Sequence, residues 1–476
     1  MNKINFLQSF SPIILLILLL SVNVLEFGNN SISGPNQIAL LFSAALACLI
    51  ALKRNISWEE IFKSISNNIK STSNAMIILL LIGALSGSWL IGGIIPTLVY
   101  YGLELLNVNY FLIATCFITA IVSLSIGSSW STIATIGIAL LAIGKVLAVP
   151  AEVTAGAIIS GSYFGDKMSP LSDTTNLASA ITESDIFEHI KYMSYTTIPS
   201  FVITLLIFFI IGLNYENSST ENLSNIQNTL VKTFNINPLI LLTPLLVIFL
   251  IVKRIPAVAS LFFAVLLGCL STFIFQQELL EALIQSDSYL NKSEYYLIIS
   301  SITTNFSIIT ENNSLNSLLS TSGMGGMLNT IWLVISAMVF GGSMQCAGII
   351  KDISEFIKGN HNNEKNIVLK TVVSCIFFNV TTADQYLSII VNGKIFKKNY
   401  SENKLSSLNL SRTLEDSGTV TSVLVPWNTC GATQSAILGV NTMAYLPFCF
   451  FNLISPIMTL ILAYTSFRIK KIISTK

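Results

Sequence analysis

Apolar residues fall in long blocks punctuated by short polar segments, and the length of those blocks sets the scale of the fold. A helix that crosses the hydrocarbon of a bilayer needs about 20 predominantly apolar residues. Ten crossings are predicted on that scale, at 10–25, 37–52, 75–106, 151–182, 193–213, 238–252, 256–275, 329–350, 411–438 and 440–465. Two further apolar stretches, 110–149 and 366–396, are each interrupted by a polar knot, at 125–132 and 379–385. Each is either a re-entrant hairpin or a pair of full crossings, and both alternatives return the chain to the side it left. The expected fold is an all-α polytopic membrane protein with about ten transmembrane helices plus two re-entrant hairpins.

Composition agrees with that pattern. The 476 residues are 52% apolar and 10% charged, against about 25% charged in a soluble domain. A formal balance of +1 gives no reason to expect nucleic acid or another strongly charged partner. The seven cysteines stand singly in apolar stretches and read as small hydrophobes.

The placement of charge fixes an orientation, because Lys and Arg gather in short cytoplasmic loops. With the N-terminus inside, every Lys and Arg except Lys145, Lys167, Lys232 and Lys292 falls in cytoplasmic loops or tails, Arg412 among them. Both termini are therefore expected in the cytoplasm. The first apolar run lacks a small-x-small cleavage site and reads as an uncleaved span. Ser57-x-x-Glu60 is a capping-box pattern, and Trp58, Ile61, Phe62, Ile65 and Ile69 follow at helical spacing, which predicts an interfacial helix on the cytoplasmic face. The Asn- and Ser-rich segments 214–237 and 276–328 read as solvated outer connectors, and His189 and His361 as exposed imidazoles in cytoplasmic loops.

An internal repeat runs through the chain. Residues 87–95 and 342–350 agree at five of nine positions at an offset of 255. Nearly the same offset superposes the two polar knots, and then Pro170-Leu171-Ser172-Asp173-Thr174 on Pro426-Trp427-Asn428-Thr429-Cys430. By the predicted topology the two copies enter from opposite sides, an inverted-topology repeat with discontinuous helices, which is an architecture of secondary transporters. The predicted division is 1–74 for N-terminal helices and the interfacial helix, 75–213 for repeat 1, 214–328 for linking helices and outer loops, and 329–476 for inverted repeat 2.

Ionised side chains are costly in hydrocarbon, so those at mid-span are the candidates for chemistry. The densest group is 160–176, where Gly165 and Pro170 bracket the point at which the helix should unwind. Asp166 and Asp173, with Ser162, Ser172, Thr174, Thr175 and Asn176, supply the hard oxygens that a dehydrated Na+ requires, and the carboxylates also bind protons. Exclusive occupancy by one cation or the other would couple opposing flows of Na+ and H+. Asp384, with Thr381 and Thr382, is a third candidate ligand in the second knot, and Asn428 and Thr429 occupy the second helix break. Lys167 either pairs with Asp166 or holds an anionic substrate. Glu415 and Asp416 open the ninth span near the cytoplasmic mouth, as a proton access point or as solvated helix-start acids.

The stretches 87–103 and 161–176, with Thr381-Thr382-Ala383-Asp384-Gln385-Tyr386 and 414–431, resemble the NhaC-type sodium/proton antiporter family over roughly residues 37–465. That resemblance implies a carrier of the bacterial inner membrane without cofactor, moving Na+ against H+ by alternating access, and not an enzyme. It also implies the alternative of a Na+- and H+-coupled exchanger of small organic anions, of the malate/lactate kind, or of amino acids. A homodimer stays open.

Overall fold

The structure is a computed structural model that describes residues 6–28, 31, 33–105, 107–215, 220–253, 255–286, 289–310, 313–316, 318–358 and 364–472; His361 lies outside the described residues. The chain begins with Phe6–Phe27 (α1), Pro35–Lys53 (α2), Trp58–Ser71 (α3), Ser73–Ile91 (α4) and Ile94–Leu105 (α5). Next come Val108–Ile126 (α6), Ser129–Thr132 (α7) continued by a π-helical turn into Ile138–Val146 (α8), Ala151–Met168 (α9), Asp173–Thr182 (α10) and Ile186–Leu213 (α11). The middle holds Thr220–Thr233 (α12), Leu242–Val252 (α13), Ala257–Phe275 (α14), Gln277–Gln285 (α15), Glu294–Thr303 (α16), Asn313–Asn316 (α17) and Gly323–Gly326 (α18). Leu328–Cys346 (α19), Ile349–Lys358 (α20), Glu364–Thr381 (α21), Gln385–Glu402 (α22) and Ser407–Thr413 (α23) follow. A π-helical turn Leu414–Thr419 leads on to Thr429–Leu438 (α24), Thr442–Tyr445 (α25) and Phe450–Thr465 (α26). Sheet structure among the described residues is one two-stranded ladder of Phe306–Ser307 with Ser320–Thr321.

Among the described residues, eight helices are long and apolar enough to cross a membrane, or ten if two bent pairs are each one span. The protein is an all-α, multi-pass membrane protein. The predicted crossing 75–106 is not one helix: the chain turns at Gly92-Gly93, where Gly93 has φ +72°. An L-residue rarely adopts that left-handed conformation, which glycine enters without steric cost. Gly348 makes the same turn between α19 and α20 with φ +72°.

Matching features continue at an offset of 255 or 256. Ser128 and Asp384 each cap the helix that follows a knot, and Ser172 and Asn428 cap the helices after the two breaks. Glu183 and Gly439 both end those helices in the left-handed conformation. Direction reverses between the two sets. The start of α2 bonds to the start of α19 (Gln37 to the Asn329 carbonyl, 3.3 Å) and its end to the end of α19 (Arg54 to the Ala347 carbonyl, 2.6 Å), so these two run in parallel. The helix α3 then packs on the last turns of α19 at Gly342 and Gln345, and α4 starts back from there in the opposite sense.

The capping box of α3 forms, with Glu60 accepting from the Ser57 N–H at 2.9 Å, while Trp58 and Phe62 stay exposed. The segment 276–328 is not a solvated connector. The carbonyls of Ser301 and Gly323 lie against Gly87 and Gly83 of α4, and Ser86 bonds Thr321 at 2.8 Å. Polar composition misled here because small residues on α4 let an outer backbone approach it, and hydropathy does not register that contact.

Gly161 and Gly165, one turn apart on α9, let α6 pack at backbone distance against the Cys116 and Ala120 carbonyls. Gly161→Ala puts a methyl group into a main-chain carbonyl. It is expected to cost about 1–3 kcal/mol by overpacking, read as a lower melting temperature of the detergent-purified protein.

Candidate ion-binding site

The first knot is a hairpin: α6 rises to Gly127, and the chain returns through α7 and α8. Its tip lies against the break between α9 and α10, since a methyl group on Gly127 would touch Leu171 and Ser172. Asp166, on the last turn of α9 and 7% exposed, receives the Ser129 N–H at 2.9 Å and the Ser129 hydroxyl at 2.7 Å on one carboxylate oxygen. Its other oxygen is buried and unpartnered among the described residues, as is the Ser162 hydroxyl on the same helix. The break itself is tied by its own polar residues. Thr175 donates to the Lys167 carbonyl at 3.1 Å, and Asn176 donates to the carbonyls of Pro170 at 2.9 Å and Ser172 at 2.6 Å. Ser172 caps α10 and shares a hydrogen bond with Thr174 at 3.1 Å.

Asp173 differs from Asp166 in its exposure. It is exposed and accepts a 2.5 Å hydrogen bond from the Tyr386 hydroxyl of α22, which links the two halves of the chain. In the second hairpin, formed by α21 and α22, Asp384 caps α22 by accepting from the Leu387 N–H at 2.9 Å. Thr381 and Thr382 donate to carbonyls of their own helix. The tip again meets a break: Thr429 N–H donates to the Ala383 carbonyl at 2.9 Å, and the Asn428 amide to the Asn379 carbonyl at 3.0 Å.

Two recesses reach these breaks. One, of about 440 Å³, contains Ser128, Pro170 and Asn176 and opens beside Ile255 and Ala257 at the start of α14. The other, of about 470 Å³, contains Pro426 and Ala432 and opens beside Ser33, Asn329 and Asn441, near the starts of α2 and α19.

Glu415 and Asp416 do not lie at a mouth. Both are fully buried on the π-helical turn. Lys167 is also fully buried, and its partner is Asp416, not Asp166. Ser455 and Thr459 of α26 complete the pair, donating to the two Asp416 oxygens, with Ser455 at 3.0 Å. The two ends of this ion pair are 249 residues apart, so no local pattern announces it. Glu415 has no hydrogen bond to either oxygen among the described residues, and the charges of Lys167, Asp166 and Asp416 act on it.

His189 is likewise buried, on α11, with Nδ1 bonded to the Ser411 hydroxyl at 2.8 Å. Arg412 was expected in a loop, yet it is fully buried and stacks on the Tyr192 ring at 4.7 Å. None of its three nitrogens has a hydrogen-bond partner among the described residues. The effective cost of burying an ion is several kcal/mol, and a desolvated cation–π contact returns about 2. The ring alone leaves that charge unanswered. The seven cysteines are free and buried or half-buried, and no group of three His, Cys, Asp or Glu among the described residues has metal-holding geometry.

Sequence reasoning missed Ser129 as a ligand of Asp166, Tyr386 as the partner of Asp173, and the Ser455/Thr459 pair. The last carried a signal, two hydroxyls one turn apart in an otherwise apolar span.

A profile of the Na+/H+ antiporter family matches residues 161–467. The chain belongs to that family. Among its relatives, the Na(+)/H(+) antiporter NhaC of Alkalihalophilus pseudofirmus is 34% identical over 435 residues, 91% of each chain. The malate-2H(+)/Na(+)-lactate antiporter of Bacillus subtilis is 35% identical over 434 residues, 90% of this chain and 89% of its own. The arginine/ornithine antiporter ArcD of Halobacterium salinarum is 35% identical over 476 residues, 98% of this chain and 93% of its own. As a member of the Na+/H+ antiporter family the protein is a transporter and not an enzyme, and sodium ion and proton are the cargo that the family exchanges.

Removing one member of the Lys167–Asp416 pair leaves the other as an uncompensated buried charge. Lys167→Met or Asp416→Leu is expected to cost about 3–5 kcal/mol, and the double variant less than either. Melting of the three purified variants checks the order.

Proposed function

We propose that the protein exports Na+ in exchange for H+ by alternating access across a bacterial inner membrane, with both termini cytoplasmic and no cofactor. The observation that carries the reading is Asp166: a buried carboxylate with one oxygen held by the hairpin tip and the other left free beside an interrupted helix. A dehydrated Na+ takes oxygen ligands, and the free Asp166 oxygen, the Ser162 hydroxyl and the unwound stretch 169–172 offer them. A proton binds the same oxygen, so each cation excludes the other.

Orientation follows from the basic loops. The recess at Pro170 and Asn176 opens beside Lys253, on the side assigned to the cytoplasm, and the recess at Pro426 faces the opposite side. Two breaks, each met by a hairpin tip and each reached from one face, supply the two related halves that rocking between inward- and outward-open states requires. In the second half, Asn428 and Thr429 occupy the positions of Ser172 and Asp173, so neutral ligands replace the first break's acid. Asp173, bonded to Tyr386 across the halves, would guard the approach to Asp166 and not ligate with it. Glu415 and Asp416 form the buried charge environment of that site instead of a proton access point at its mouth.

In proteoliposomes with an imposed pH gradient, Na+ is expected to release or drive protons in a manner followed by a pH-sensitive dye. Asp166→Asn removes the shared oxygen and is expected to lower Na+-dependent proton flux at least about 100-fold, on the scale seen for removal of an essential acid-base group. Asp173→Asn is expected to retain exchange with a raised half-saturation for Na+. Unaltered exchange in Asp166→Asn would remove the proposed site.

A further inference from the structure

Glu415 and Asp416 are neighbours on one buried π-helical turn, and their surroundings differ. Asp416 accepts from the Lys167 ammonium and from the Ser455 and Thr459 hydroxyls. Glu415 is 0% exposed, and neither of its oxygens receives a hydrogen bond among the described residues. The Thr419 hydroxyl, four residues further along the turn, is buried and unpartnered there as well. One ammonium cannot neutralise two carboxylates, and Lys167 is committed to Asp416 and Ser455. A buried carboxylate with neither a donor nor a cation is strongly disfavoured, and taking up a proton removes its charge.

The charges that act on Glu415 come from Lys167 and Asp166 of α9 and from Asp416 beside it. Around the same turn, Arg412 of α23 stacks on the Tyr192 ring of α11, and His189 of α11 bonds the Ser411 hydroxyl. Cys375 of α21 and Ser388 of α22 lie beside Gly418. The helix α10 meets the turn through an apolar cluster that joins Ala178 to Leu414. None of these groups donates a hydrogen bond to Glu415.

Two acids in opposed environments divide their roles. Asp416 is the anion of the ion pair. We propose that Glu415 is a proton-binding residue separate from the sodium site, which holds its proton while that site is empty and releases it when Na+ binds at Asp166. Sodium at Asp166 adds a positive charge to the group of charges that acts on Glu415, and a nearby positive charge favours the ionised carboxylate. The Glu415 O–H bond breaks, its proton leaves to water, and the carboxylate left behind is answered by the charge of the ion. Asp166 would thus lose a proton by direct competition for an oxygen, and Glu415 by charge alone. Only the release step rests on sodium binding at Asp166; the proton on Glu415 follows from its own surroundings.

The test is infrared difference spectroscopy of the full-length protein in lipid, recorded with Na+ against N-methylglucamine at constant pH, in light and in heavy water. The expected wild-type result is a C=O band of a protonated carboxyl group that shifts in heavy water and disappears on saturation with Na+. E415Q is expected to lose that band, and D166N to keep it while losing its response to Na+. E415D is expected to move the band without removing it, and it decides the assignment if E415Q does not fold. A pH-sensitive dye in weakly buffered detergent solution counts the protons displaced by saturating Na+, expected to fall from about two per protein in the wild type to about one in E415Q. A band that E415Q retains or E415D leaves in place, a band that saturating Na+ leaves unchanged in the wild type, or an equal proton count in E415Q would each overturn the proposal. A Na+ response that D166N leaves intact overturns sodium binding at Asp166 instead, and the E415Q comparison still decides whether Glu415 carries the proton.

Discussion

Inside hydrocarbon no water is available to satisfy a backbone group that a helix leaves open. This protein interrupts two of its helices, and the groups around each interruption supply the missing partners. Both breaks find them in the same place, the tip of a hairpin returned against the break. In the second half one main-chain bond, Thr429 to Ala383, is joined by two side chains, Asn428 reaching the Asn379 carbonyl at 3.0 Å and the Trp427 indole the Val380 carbonyl at 2.7 Å. In the first half side chains carry it: Asn176 and Thr175 close the break, and Asp166 receives the tip through Ser129. The carboxylate that makes the first break chemically distinct is thus also part of what holds the hairpin there.

That dual use links structure to transport. In the proposed exchange, a cation or proton arriving at Asp166 would change the charge of a group bonded to the hairpin tip, and so bias how firmly the tip and the break stay together. The second break is closed by neutral groups, and the acid of its hairpin tip, Asp384, caps α22.

A second level of organisation is electrostatic. The protein places Asp166, Lys167, Glu415 and Asp416 in one buried neighbourhood and commits Lys167 to Asp416 with two hydroxyls from α26. A pair so fully buried is poor evidence for stability, because desolvation offsets much of the attraction. Its more telling effect is positional: α9, the π-helical turn and α26 are fixed to one another beside Asp166. Arg412 of α23 stacks on Tyr192 of α11, and His189 of α11 bonds Ser411 of α23, so a second buried polar cluster ties those two helices together.

The sequence by itself determined the all-α membrane class, most span positions, the helix interruption at Pro170, the repeated order of features and the family. These rest on local or periodic quantities: hydropathy over a helix length, Pro and Gly punctuation, and a motif of contiguous residues. The tertiary structure alone decided which polar groups meet. Lys167 next to Asp166 reads as their pair in one dimension, yet adjacent residues on a helix point in different directions, and Asp416 from the other half takes the lysine. Asp173 and Tyr386, Ser129 and Asp166, and the outer segment resting on Gly83 and Gly87 were hidden for the same reason. A contact between distant parts of a chain is set by how helices cross, and no window along the sequence contains that crossing.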